Sequence, residues 1–407
     1  MKNVIVGQSG GPTAVINSSL LGVYKTAKDR GADRVYGMLH GVKGLIDGEI
    51  VDLSSHIKNN LDMDLLKRTP SSFLGSCRYK LPEISENDDT YAKIFAILKD
   101  LDIFAFIYIG GNDSMDTIKK LSEYGKLIHS QVRFIGVPKT IDNDLALTDH
   151  TPGYGSAAKY IAATTKEIIR DGLVYDYPLV SVVEIMGRNA GWLTAATALA
   201  KGEDCEGVDM IYMPETVFDL DKFIGKVDSL LEQNRSIVIA VSEGIKIADG
   251  RYVCELFDHI DYVDAFGHKQ LSGTARYLTS QIAERFKVKT RAIELSSLQR
   301  CAAHMAARID VTEAYNCGGA GVKSAFEGES GRVVTLRRIS DDPYMCITEM
   351  VDVRFVANVE KKLPVEWINE EKNYVTPQFI HYLRPLIQAE IAPLWVDGLP
   401  RHLRLEI

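Results

Sequence analysis

The chain has 407 residues, 46% of them hydrophobic and 25% charged, with a formal net charge of −8. That length can bury a large core and points to two or three domains, while the acidic balance argues against a nucleic-acid binder. No apolar run reaches the roughly 18 residues of a membrane helix, and the 6 cysteines are scattered without CxxC pairs or metal-ligand spacing, as in a reduced cytoplasmic protein.

In chain order, the first expected strand is Val4-Ile5-Val6, which enters a glycine turn too early to leave room for a signal-peptide apolar core. QSGGPT is that turn, and Ile16, Leu20, Val23 and Ala27 then recur at helical spacing. The pattern repeats in kind. The run 101–109 precedes GGNDS (110–114) and a helical segment at 114–124, and the run 132–137 precedes PKTIDND (138–144). The run 179–185 precedes MGRNAG and an alanine-rich helix at 192–201, and 236–241 precedes SEG. A further helix is expected near 377–389.

Apolar runs without polar alternation mark strands covered on both faces, hence a parallel sheet flanked by helices. The expected fold class is α/β: two Rossmann-like three-layer domains with parallel-rich sheets, plus a C-terminal α+β extension. Turn residues Thr151-Pro152-Gly153 place the junction near 145–155. The first domain is expected over 1–147, completed by a return of the chain at about 270–315. The second is expected over 148–269 and the extension over 316–407, packing on the domains or an interface.

In open α/β sheets ligands sit outside the carboxyl ends of the strands, where these loops fall. Gly10-Gly11 lets backbone approach an anion, although a lone Gly-Gly is as readily a tight turn. Gly110-Gly111 is similar, with Asn112 and Asp113 following as helix caps or as ligands. In PKTIDND, Asp142 and Asp144 are one residue apart, so an extended segment points both the same way. One carboxylate can act as general base towards a hydroxyl while the other holds that hydroxyl or a metal. Lys139 offers a cation for phosphate charge. Each loop alone has an ordinary structural explanation; their coincidence at neighbouring strand ends favours phosphate chemistry.

These residues carry a resemblance. GGNDS and PKTIDND resemble the signature loops of the phosphofructokinase family, in its pyrophosphate-dependent branch, and further motifs follow in the family's order. They are Gly10-Gly11, LGSCR ending at Arg78, MGR at Met186, Gly187 and Arg188, SEG around Glu243, and GHKQLSG at 267–273. The resemblance covers about residues 1–320. It implies a domain binding the phosphoryl donor, a domain binding the sugar phosphate, and reversible transfer from pyrophosphate to the C1 hydroxyl of fructose 6-phosphate. It assigns Asp142 as general base, with Thr140, Ile141 and Asp144 around substrate or transition-state charge. Asp113 and Lys139 stand where the ATP-using branch has glycine. Asp113 would repel a nucleotide phosphate and Lys139 would contact pyrophosphate. Gly10, Gly11, Gly111 and Arg78 are the implied donor contacts.

Met186, Gly187, Arg188, Glu243 and His268 are the implied sugar-phosphate contacts. Leu271 replaces the family's phosphate-binding arginine and Leu179 another, so Arg276, Arg291 and Tyr277 are candidates for the sugar phosphate. The implied cofactor is Mg2+, with Asn112 at the position of a metal-binding aspartate. Beyond the two substrates the implied partner is a second copy, in a cytoplasmic homodimer or homotetramer. An ATP-dependent phosphofructokinase and a non-catalytic sugar-phosphate-binding paralogue are the alternatives.

Overall fold

The computed structural model describes residues 2–85, 88–256 and 271–406. The chain forms two compact units, Met1–Ser156 with Arg300–Lys361 and Gln388–Ile407, and Ala157–Gln299 with Lys362–Ile387. The strands of the N-terminal stretch are β1 (Asn3–Gln8), β2 (Val35–Met38), β3 (Ile50–Asp52), β4 (Ile103–Gly110) and β5 (Arg133–Pro138). Those of the second unit are β6 (Leu179–Ile185), β7 (Met210–Tyr212), β8 (Ser236–Ser242) and β9 (Lys289–Glu294). The first unit resumes with β10 (Arg332–Asp341), β11 (Tyr344–Asp352) and the short hairpin β12 (Trp395–Val396) and β13 (Leu399–Pro400).

The first unit holds a 7-stranded sheet in the order β11-β10-β5-β4-β1-β2-β3. Its five central strands are parallel, and β3 and β11 close the edges antiparallel. Successive residues serve opposite faces. Val4, Val6, Ala105, Ile107, Ile135 and Val137 pack on one side, and Ile5, Phe106, Tyr108 and Phe134 on the other. This explains the missing polar alternation: both faces are buried.

The first face is covered by the helices Ile16–Asp29 and Arg308–Phe326, which meet backbone to backbone. A Cβ added to Gly22 would lie 2.0 Å from the Tyr315 carbonyl oxygen, and one added to Gly318 2.1 Å from that of Ser19. Gly318→Val is therefore expected to force the helices apart and cost about 3 kcal/mol. The measurement is the thermal unfolding midpoint, which should fall by several degrees while the same change at exposed Gly225, whose added Cβ meets nothing within 4 Å, leaves the packing intact.

The second unit holds an all-parallel sheet in the order β7-β8-β6-β9. One face buries Val180, Val182, Ile237 and Ile239 against Phe223, Leu278 and Ile282. An aromatic group within the unit packs Trp192, Trp367, Phe379 and Tyr382 in edge-on and tilted pairs.

Two boundaries differ from those expected. The return to the first unit begins at Arg300, because β9 pairs with β6 and keeps the chain up to Gln299 in the second unit. Residues 316–407 do not form one extension. The end of the helix Arg308–Phe326 and β10 join the first unit's core and sheet, 362–387 belong to the second unit, and the hairpin β12–β13 is the small antiparallel remainder. The alanine-rich segment is α-helical only over Trp192–Ala195 and tightens to 3-10 geometry over Ala196–Ala200. No helix is long and apolar enough to cross a membrane among the described residues.

Candidate active-site loops

In the first unit β5, β4 and β1 lie side by side and parallel, so PKTIDND, GGND and QSGG leave the sheet at the same end. Gly10 has φ of +76°, a conformation that glycine adopts without strain. The Ser76 hydroxyl donates to the Gly10 carbonyl at 2.6 Å, tying the LGSCR loop, with exposed Arg78, to the glycine turn. Gly110 has no room for a side chain, since an added Cβ would lie 1.9 Å from Ser114 Oγ. Gly111 caps the helix Asn112–Leu127, and Asp113 stands exposed in its first turn.

Lys139 crosses between the loops. It is 2% exposed, and its Nζ donates to the carbonyls of Ser9 at 2.8 Å and Gly11 at 2.6 Å. Burial pushes its ammonium pKa down to about 8, against the pull of Asp142 and Asp144 and with the push of Arg300 and Arg78. The lysine expected to reach for phosphate thus holds the glycine turn with two of its three donors. Asp142 is half-buried, and its backbone N–H is held by Thr140 Oγ1 at 3.1 Å. Asp144 is raised to about 7, first by burial and then by Asp142 and Glu360, and its Oδ1 is buried without a hydrogen-bond partner. Ile141 is buried beneath this loop.

Asn112 differs from expectation. Its Nδ2 donates to the Val359 carbonyl at 2.9 Å and its Oδ1 accepts from the Asn358 N–H, so both polar atoms serve the chain at 358–359. An amide engaged in this way is a poor metal ligand. No group of three His, Cys, Asp or Glu side chains suited to a metal occurs among the described residues.

Arg300 was not expected here. It lies in the short helix Leu298–Cys301 after β9, its Nη1 is 3.6 Å from where a Gly11 Cβ would be, and its charge acts on Lys139. Residues 267–270 of the motif GHKQLSG, His268 among them, lie outside the described residues, and Leu271 is a buried residue shortly before the helix Thr274–Phe286. A signal was present in the sequence, a glutamine-arginine pair after TRAIEL, but β9 is a polar edge strand and does not read as an apolar run.

In the second unit β6 and β8 are neighbours, and their ends bring MGR and SEG together. Ser242 Oγ donates to the Gly187 carbonyl at 2.6 Å, and the Gly187 N–H donates to Glu243 Oε1 at 3.4 Å. A Cβ on Gly244 would sit 1.9 Å from the Arg188 carbonyl oxygen, so the loops touch through backbone. Met186 N–H is held by Gln299 Oε1 at 3.3 Å.

The three other candidates are engaged elsewhere. Arg276 is exposed and pairs with Glu294 at 2.7 Å. Arg291 pairs with Asp171 and donates to the Tyr175 hydroxyl at 3.0 Å. It sits opposite Ser181, about 10 Å short of the strand end. Tyr277 lies against the hydrophobic core.

Glycine backbone and the cations Lys139 and Arg300 beside the Asp142–Asp144 pair are the groups that phosphoryl-transfer chemistry uses. The phosphofructokinase family model matches residues 3–323, and the chain belongs to that family. The pyrophosphate–fructose 6-phosphate 1-phosphotransferase of Methylococcus capsulatus is 39% identical over 99% of this chain and 96% of its own length. That of Halomonas elongata is 37% identical over 99% and 96%. The crystal structure of the pyrophosphate-dependent phosphofructokinase of Nitrosospira multiformis superposes with a TM-score of 0.89 at 36% identity, covering 100% of this chain and 96% of that one.

Proposed function

We propose that the chain transfers a phosphoryl group reversibly from pyrophosphate to the C1 hydroxyl of fructose 6-phosphate, giving fructose 1,6-bisphosphate and phosphate. The observation that carries this reading is the intact TIDND loop, with Asp142 and Asp144 beside the Lys139-held glycine turn. Asp142 takes the C1 hydroxyl proton as the sugar oxygen bonds to phosphorus and the bond to the leaving phosphate breaks. Thr140 orders the loop through Asp142 N–H. Gly10, Gly11, Gly111, Arg78 and Arg300 bind the donor's charge, and Lys139 fixes the glycine turn with one donor left for the anion. Met186, Gly187, Arg188 and Glu243 form the sugar side.

The residues fit a magnesium ion. Asp144 presents a buried carboxylate oxygen with no partner, and Mg2+ usually takes one or two carboxylates and fills its shell with phosphate oxygens and water. We place it on Asp144 rather than on Asn112, leaving Asp142 to act as base; bound there, it would offset phosphate charge. The family further points to a cytoplasmic homodimer or homotetramer, which sedimentation would resolve.

Asp113 sets the donor. Its carboxylate at the mouth of the helix Asn112–Leu127 competes for the place where a nucleotide's inner phosphate would lie. The purified protein, assayed with each donor in turn, is expected to turn over with pyrophosphate and not with ATP. Turnover with ATP alone would overturn the proposal.

A further inference from the structure

We infer that the segment 358–361 is a strap that positions both signature loops, with Lys361 as the positioning residue of the carboxylate loop. The inference rests on the reading of TIDND as the loop of the general base. The family model stops at residue 323, so the strap lies in a part of the chain that the family pattern does not describe.

At one end the strap holds GGND. Asn112 Nδ2 donates to the Val359 carbonyl at 2.9 Å, the Asn358 N–H donates to Asn112 Oδ1, and Asn358 Nδ2 donates to Asp116 Oδ1 at 2.8 Å, one turn along the same helix. Two residues further on it holds TIDND. The Lys361 N–H donates to the Asp144 carbonyl at 2.7 Å, and Leu145 pairs with Glu360 in an isolated bridge. Lys361 Nζ donates to the carbonyls of Thr148 at 3.1 Å and Asp149 at 2.9 Å, and to Asn143 Oδ1 at 3.3 Å. Asn143 Oδ1 also accepts from the Thr151 N–H at 3.1 Å, so one amide oxygen ties the loop to both the strap and its own continuation.

The strap is firm because its upstream neighbours Val353, Val356 and Ala357 are buried in the core under the sheet. A fixed chain bonded to both loops sets their separation, and misplacing a reacting group by about 1 Å can cost on the order of 100-fold in rate. Lys361 holds the loop by side chain as well as backbone, its Nζ reaching three acceptors on the carboxylate loop and its continuation.

The test uses the full chain with Lys361→Met, Lys361→Arg and Asn358→Ala. Hydrogen exchange read by mass spectrometry is expected to speed up about tenfold in peptides covering 110–116 for Asn358→Ala and 139–151 for Lys361→Met, with the second unit unchanged. Unchanged exchange in both loops overturns the strap whatever the protein's reaction. In turnover with pyrophosphate, Lys361→Met is expected to lower kcat about 10- to 100-fold with each KM within about threefold. Lys361→Arg, which keeps charged donors at that place, should recover most of kcat. A variant with fewer folded molecules but unaltered kcat and KM would show support of the fold alone and would overturn the positioning role. If the unaltered protein fails to use pyrophosphate, the reaction is wrong, and exchange still judges the strap.

Discussion

Asp142→Asn is expected to lower kcat by about 10²- to 10⁴-fold in both directions, the usual range for removing a positioned general base. The amide matches the carboxylate in size but cannot take the proton of the C1 hydroxyl or return it in the reverse reaction. The loop should keep its shape, because its backbone is held independently of the side chain. The Lys139 N–H donates to the Gly110 carbonyl and the Thr140 N–H to that of Pro152, and Thr151 Oγ1 donates to the Thr140 carbonyl at 2.8 Å. Each KM should therefore stay within about threefold of the parent value, the signature of an interaction used in the transition state. Steady-state kinetics with pyrophosphate forwards and phosphate in reverse read both directions, and circular dichroism checks the fold. Near-normal turnover would remove Asp142 as the base. Asp144→Asn separates the two carboxylates: its unpartnered oxygen is offered to the metal, so its loss should raise the magnesium concentration needed for half-maximal activity.

These expectations differ in how far the sequence alone could carry them. Strands buried on both faces announce themselves as apolar runs, so β1, β4, β5, β6 and β8 and the loops after them were legible, and with them the glycine turns and the carboxylate pair. What escaped depends on distant chain meeting. Arg300 reaches Gly11 only because the chain re-enters the first unit at residue 300, behind an edge strand whose burial is mixed and whose residues are partly charged. The resemblance sets Asn112 at the place of an aspartate, while the partners that engage it lie some 246 residues away. The sequence marks Lys139 as a cation beside phosphate, while the two backbone carbonyls that claim it come from a turn some 130 residues away.

His150 is the clearest case of such distant assembly, and stability is expected to fall as pH rises from about 6.5 to about 9. Its ring is 1% exposed, with Nδ1 at 2.8 Å from Asp149 and Nε2 at 2.7 Å from Glu313. Arg338 bonds Asp149 at 2.9 Å, and the Tyr344 hydroxyl donates to Glu313 at 2.7 Å, so the β10–β11 hairpin is joined to the chain that follows TIDND. Burial alone would lower the histidine's pKa, but Glu313 and Asp149 outweigh it and raise it to about 9. A group whose pKa is higher folded than unfolded stabilises the fold fully below its unfolded value, about 6.5, and loses that contribution as pH rises through the folded value. The linked stability is on the order of 3 kcal/mol, shed mainly between pH 6.5 and 9. His150→Gln keeps a polar side chain without the charge and leaves two carboxylates facing it. It should cost about 3 kcal/mol at pH 6 and flatten the dependence above that. Thermal midpoints from pH 6 to 9.5 for both proteins provide the check. Parallel curves for parent and variant would mean that His150 is not the group that titrates.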